Sequence, residues 1–131
     1  MERMTIDGTA LVLADGLSLW GGMDPATGEI IDVHHPQHGA NVAGRILVMP
    51  GGRGSSSSAS VLAEAVRART APRAIVLGEP DLILAIGAAV AEELYGVRVP
   101  IIVADPARLA TIRDGDPVQI DGGRWFVAEG P

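Results

Sequence analysis

From Arg45 to Leu62 the chain runs through a strand, a loop and a helix start in immediate succession, and this order constrains its fold more than any other feature. Ile46, Leu47, Val48 and Met49 form an aliphatic run that Pro50 stops. A short unbroken apolar run ending at a turn signal fits a strand buried on both faces. Gly51, Gly52, Arg53 and Gly54 make a turn, Ser55 to Ser58 follow, and Val61, Leu62, Ala65 and Val66 resume with helical spacing. That spacing predicts a helix over residues 56–69, ending near Thr70-Ala71-Pro72. A second unit repeats the theme: a strand over Ala74–Leu77, a turn at Gly78-Glu79-Pro80-Asp81, and a helix from Leu82 to Leu94 with Tyr95-Gly96 at its end. A third strand, Val99–Val103, comes next. Two strand–helix–strand crossovers require parallel pairing in a sheet covered by helices.

The flanks read differently. Thr9–Ala14 is predicted as a first strand. Leu17 to Gly28 is crowded with turn residues and holds Trp20, one of four aromatic side chains in a chain that is 3% aromatic. A loop of that kind either faces a ligand or plugs the core, and spacing does not separate the two. Glu29–Val33 is predicted as a short strand. At the tail, Asp114 to Val127 reads as two short strands around an Asp121-Gly122-Gly123 turn, an antiparallel hairpin. At 131 residues, residues 1–131 are expected to form one domain of the α/β class, with central parallel strands and a C-terminal hairpin.

Composition removes several functions. A net charge of −6 argues against nucleic acid or an anionic membrane as partner. No apolar run approaches the roughly 18 residues of a membrane span, and Met1 to Asp7 lacks the basic and apolar regions of a signal peptide. A cytoplasmic protein is the expectation. There is no cysteine, so the chain supplies no thiolate to zinc or to an iron–sulfur cluster. His34, His35 and His38 fall close together, but Pro36 opposes a regular helix, and a polar loop is favoured over a metal site.

The chemistry of the glycine–serine segment follows from its place. The first turn of a helix has N–H groups without intrahelical partners and a partly positive dipole end. Glycines allow close backbone approach, and Arg53 adds charge. The segment is therefore a seat for a carboxylate, a phosphate or a developing oxyanion. Two blander readings compete: one of the serines caps the helix, or the run is a flexible linker. The linker reading is weak, because apolar segments press in on both sides. Neither a Walker A loop nor a G-x-S-x-G elbow is present.

Over nearly its whole length the chain resembles the small subunit of aconitase X, the swivelling β/β/α domain of a hydro-lyase. Four stretches carry the likeness: Leu19-Trp20-Gly21-Gly22-Met23-Asp24-Pro25-Ala26-Thr27-Gly28, Gly51-Gly52-Arg53-Gly54-Ser55-Ser56-Ser57-Ser58, Ala71-Pro72-Arg73-Ala74-Ile75-Val76-Leu77, and Gly87 to Pro100. Aconitase-like enzymes carry a Gly-Ser-Ser-Arg turn whose first serine is the catalytic base. The resemblance implies Ser55 as that base, with Arg53, Gly54 and Ser56 at the substrate. Ser57 stands where those enzymes have arginine, so the anchoring role of that arginine does not transfer, and Arg53 lies on the other side of the turn. The resemblance further implies a large aconitase X subunit as partner, an iron–sulfur cluster carried by that subunit, and a small anionic substrate. Two activities are associated with the family, dehydration of cis-3-hydroxy-L-proline and of mevalonate 5-phosphate. The Ala- and Arg-rich composition favours the first. A non-catalytic module holding an anionic metabolite is the alternative of another class.

Overall fold

A computed structural model describes residues 5–127. Six strands form one mixed sheet in the order β4-β3-β2-β1-β5-β6. They are β1 (Thr5–Val12), β2 (Ile46–Met49), β3 (Ala74–Leu77), β4 (Ile101–Val103), β5 (Pro117–Asp121) and β6 (Arg124–Val127). Between them lie α1 (Leu19–Gly22), α2 (Ser58–Ala68), α3 (Leu82–Tyr95) and α4 (Pro106–Leu109). Strands β1 to β4 pair in parallel, whereas β5 runs antiparallel to both β1 and β6. The α/β architecture with parallel centre and C-terminal hairpin is the one expected.

The central strands were legible because every residue of β2 and β3 is buried. Their side chains alternate between two layers. Leu47, Met49, Ile75 and Leu77 pack with Leu62, Val66 and Leu84 of α2 and α3. Ile46, Val48, Ala74 and Val76 face the other layer, filled by Leu109, Ile112 and Trp125.

Four boundaries differ from expectation. β1 is shifted to Thr5–Val12 because it serves two partners: Ala10–Val12 pairs with Ile46–Val48, while Thr5–Thr9 pairs with Asp121–Pro117. Arg45 holds the point of change, its guanidinium donating to Thr9 O at 3.1 Å and to Ala10 O at 2.8 Å. Glu29–Val33 is not a sheet strand. Ile30 and Glu29 make only isolated bridges, to Met23 and Asn41, in a loop closed on itself. α2 begins at Ser58 rather than residue 56, since Ser55 to Ser57 form a tighter turn. It ends at Ala68, with Arg69 left-handed (φ 64°). The third parallel strand starts at Ile101. The short helix α4, capped by Asp105 with Pro106 in its first turn, is an addition.

Candidate active site

The parallel strands β2 and β3 deliver their carboxyl ends to one edge of the sheet, where open α/β sheets hold ligands. The loop after β2 leads into α2, and the loop after β3 leads into α3. Segment 17–22 lies along the first of these loops. Leu17 forms a parallel bridge with Gly52, and the Arg53 N–H reaches Leu17 O at 3.4 Å.

Each glycine in this loop answers to a neighbour. A side chain at Gly52 would collide with the Asp81 carboxylate, and one at Gly51 with that of Glu79. Gly54 adopts φ +102°, and a Cβ there would come within 2.7 Å of Ser18 Oγ. The loop is thus threaded between an acidic turn on one side and segment 17–22 on the other.

The four serines divide by role. Ser55 Oγ accepts the Ser57 N–H at 3.0 Å, and Ser55 O accepts the Ser58 N–H at 3.0 Å. Ser55 therefore behaves as the cap of an extra turn ahead of the regular helix. Ser56 and Ser57 are exposed. Ser58 is buried, and its Oγ accepts the Trp20 N–H at 3.2 Å. Ser18 Oγ donates to Trp20 O at 3.0 Å, so both main-chain groups of Trp20 are held. The sequence pattern gave Ser58 no such role, although its spacing from Leu62 and Ala65 puts it on the inner face of α2.

This also answers the question left by the Trp20 loop. Leu17, Leu19 and Met23 are core residues, while the Trp20 ring is 57% exposed. The loop is a plug that presents one aromatic side chain at the surface. α1 itself is a kinked turn, with Trp20 and Gly21 outside helical geometry.

Among the described residues, no acceptor meets the backbone N–H groups of Gly54, Ser55 and Ser56. No acidic residue sits in the first turn of α2. The partial positive charge of this helix end is therefore uncompensated by the chain itself. The Arg53 side chain is exposed and makes no ion pair among the described residues. Arg53, Gly54 and Ser55 share a recess with Ser58 and Asp81, and its volume is about 20 Å³. That is room for a single water, not for a metabolite. The far end of α2 plays no part: hydrogen bonds from Arg67 hold the exposed Glu64 carboxyl below its usual value.

The histidines separate. His34 and His38 are exposed, whereas His35 is buried. Its Nδ1 accepts the Gln37 N–H at 3.0 Å, which puts its proton on Nε2, 3.1 Å from Asp15 O. It holds the loop together. Among the described residues no three His, Cys, Asp or Glu side chains gather to hold a metal ion, and with no cysteine in the sequence this chain does not fit an iron–sulfur cluster as its own. No helix among the described residues is long and apolar enough to cross a membrane.

A mixed sheet with α2 and α3 on one layer and α4 on the other, and a glycine–serine turn at the carboxyl edge, is the arrangement that comparison with known proteins assigns to a family. The chain belongs to the aconitase X swivel domain family, whose model matches residues 2–128. It is 54% identical over 94 residues to the cis-3-hydroxy-L-proline dehydratase of Pseudomonas aeruginosa, covering 72% of this chain and 16% of that protein. To the phosphomevalonate dehydratase small subunit of Methanocella arvoryzae it is 35% identical over 121 residues, covering 92% of this chain and 87% of the relative. The crystal structure of Thermococcus kodakaraensis aconitase X in its holo-form superimposes with a TM-score of 0.86 at 30% identity, covering 96% of this chain and 92% of the other. The chain spans only 16% of the length of the Pseudomonas aeruginosa cis-3-hydroxy-L-proline dehydratase and 18% of that of Hypocrea jecorina.

Proposed function

We propose that this chain is the small subunit of a heteromeric hydro-lyase that dehydrates cis-3-hydroxy-L-proline, and that Ser55 is its base. The observation that carries the proposal is the recess: Gly54 and Ser55, whose N–H groups have no acceptor among the described residues, line a space of about 20 Å³ together with Arg53. A substrate must then lie between this loop and a second surface, which a large aconitase X subunit would supply. The 54% identity to a cis-3-hydroxy-L-proline dehydratase supports the substrate. Coverage of 87% of a phosphomevalonate dehydratase small subunit supports mevalonate 5-phosphate as the second reading.

Each residue has a task in this mechanism. The Ser55 alkoxide takes the proton α to the substrate carboxylate and becomes the neutral hydroxyl. The electron pair left on that carbon forms the ring double bond as the adjacent C–O bond breaks; the departing hydroxide takes up a proton, from an acid that the large subunit would supply, and leaves as water, and loss of the proton from Ser55 to solvent restores its alkoxide. A serine is a base near neutral pH only where its oxyanion is stabilised. The Ser57 N–H, already donating to Ser55 Oγ at 3.0 Å, favours the anionic form, as does the end of α2. Arg53, Gly54 and Ser56 hold the anionic substrate, Arg53 by charge and the other two by main-chain N–H groups. In this proposal the iron–sulfur cluster resides on the large subunit.

Co-expression with a large subunit tests the assignment. The purified pair should turn over cis-3-hydroxy-L-proline, and the isolated chain should neither do so nor contain iron or labile sulfide. Turnover of mevalonate 5-phosphate alone selects the second reading. A pair that binds either anion without turnover points to a regulatory module.

A further inference from the structure

A groove opens at the amino edge of the sheet, at the far end of β2 and β3 from the serine loop. Each of those strands is four residues long, so about 13 Å separates the two places. Main-chain hydrogen bonds fix the groove's walls. The Gly44 N–H donates to Ala71 O at 3.1 Å, the Arg73 N–H to Arg45 O at 2.8 Å, and the Ile75 N–H to Pro100 O at 2.9 Å. Arg69, Arg73 and Arg98 line the groove together with the buried Val66, Pro72 and Val99, and its volume is about 710 Å³. That is the size of a small-molecule site. No acidic residue lines it, in a chain that has 16.

The three arginines have no other employment. Arg45 and Arg108 donate to main-chain oxygens, and Arg67 pairs with Glu64. Arg69, Arg73 and Arg98 are exposed, and their side chains make no hydrogen bond or ion pair among the described residues. Glu92 shares a smaller neighbouring groove with Arg98 without pairing with it. Basic residues also serve to neutralise helix C-termini, and both α2 and α3 end at this groove. Two such ends carry about −1 charge together, so three guanidinium groups leave about +2 over. α3 closes with Gly96, the usual residue for a left-handed helix end. α2 closes instead with Arg69, the one non-glycine at positive φ among the described residues, and such positions cluster where ligands bind.

We propose that this groove is a second binding site, for a phosphate ester of a small apolar group. A phosphate ester carries close to two negative charges near neutral pH, which matches the surplus. Its oxygens accept paired N–H groups from guanidinium forks, and Val66, Pro72 and Val99 receive the organic part. The groove shares no lining residue with the Ser55 recess, so the site stands whether or not the dehydratase reading does.

Calorimetric titration of the full chain with n-butyl phosphate at low salt tests the site, with inorganic phosphate as the comparison. Butyl phosphate should bind at least about 10-fold more tightly than phosphate, because its chain covers apolar surface. Arg73→Gln and Arg98→Gln should each weaken it at least about 10-fold, as the loss of a charge-assisted hydrogen bond implies, with melting temperatures within a few degrees of the wild-type chain. Arg73→Lys should recover only part of the affinity, since an ammonium group makes no paired bonds. Arg53→Gln at the serine loop and Arg124→Gln on β6 should each change affinity less than about twofold, the scale of a distant exposed charge. Binding lost in the Arg53 variant and kept in the other two puts the anion at the serine loop and overturns the second site. Equal losses in all the arginine variants, or equal affinity for phosphate and butyl phosphate, reduce the effect to net charge and overturn it too, as does the absence of saturable binding at millimolar ligand. The pair co-expressed with a large subunit is titrated in the same way. Binding abolished by assembly makes the groove a subunit contact and overturns the site, whereas a pair that binds butyl phosphate there but turns over neither candidate substrate overturns the dehydratase reading alone.

Discussion

Two helices start side by side at the carboxyl edge of the sheet, and they start in opposite ways. α3 begins with Asp81, whose Oδ1 accepts the Leu84 N–H at 3.0 Å. A carboxylate there satisfies an orphan donor and opposes the dipole, so that helix end is closed to other anions. α2 follows a turn that neutral Ser55 caps; there is no acidic residue in the first turn of the helix, and the N–H groups of Gly54, Ser55 and Ser56 just ahead of it have no acceptors among the described residues. The same fold position is thus capped for stability in one helix and left open in the next. The difference teaches where a ligand can go: the open end is the one beside Gly51, Gly52 and Gly54, and the closed end forms its wall.

The largest effect expected tests whether the open end is catalytic or simply a weaker cap. Ser55→Ala removes both the proton acceptor and the cap, so turnover of the assembled pair should fall at least about 100-fold, with a stability loss of about 0.5–2 kcal/mol. Ser55→Asn separates the two roles, because asparagine caps as well as serine and is no base. Melting temperature should then hold while turnover stays lost. Recovery of turnover in the Asn variant would reduce Ser55 to a cap and make the two helix ends equivalent.

The wall between the two ends is tested by glycine. Gly52→Ala drives a methyl group into the Asp81 carboxylate, which is fixed as the α3 cap. Something in a packed turn must shift, at a cost of about 1–3 kcal/mol. Gly51→Ala meets the Oε1, Cδ and Cγ atoms of the exposed Glu79 side chain, which can swing aside, and should cost less than Gly52→Ala, about 0.5 kcal/mol. Equal losses in a denaturant titration of the two variants would mean that the loop, not Asp81, sets the constraint.

Ser58→Ala comes next in size. It removes the acceptor of the Trp20 N–H, a contact worth about 0.5–1.5 kcal/mol. With Trp125→Phe in the background, emission from Trp20 should shift toward that of a solvated indole. Unchanged emission and stability would show that Ser18 alone holds the segment.

How much of this was legible depended on how local the cause is. β2 and β3 announced themselves because strands buried on both faces leave an uninterrupted aliphatic run. The Asp81 and Gly96 ends of α3 rest on residues within one turn, and they too were readable. The Thr5–Thr9 half of β1 was not, since its partner is the distant Pro117–Asp121 strand and Ile6 is its one large apolar residue. Glu29–Val33 misled for the converse reason: its side chains suit a strand, but no sheet edge is within reach. At the site, the type of loop could be read but the division of labour among four serines could not. The Ser55 cap rests on bonds within three residues and was open to reading as a capping serine, whereas the burial of Ser58 under Trp20 depends on where segment 17–22 lies, and nothing local to the serines encodes it.

The smallest effect is the most direct probe of the comparison, because it changes charge at the closed end and little else. Asp81→Asn keeps a side-chain oxygen that can accept the Leu84 N–H, so the α3 cap and the melting temperature should be preserved within about 0.5 kcal/mol. What disappears is a negative charge lining the recess that holds Ser55. If anionic substrate sits at the open end of α2, it is repelled by that charge in the wild-type chain. Its affinity should then rise by about 0.3–1 kcal/mol, the usual scale for one charge at a helix terminus, read as a KM lower by about two- to fivefold in the assembled pair at low salt. The gain should shrink as salt is added, since such interactions are screened over about 10 Å at 0.1 M. Asp81→Ala provides the contrast: it removes the same charge but also the cap, so affinity should rise while stability drops. A KM that ignores both substitutions would place the substrate away from the α2–α3 wall and leave Asp81 a cap with no bearing on binding.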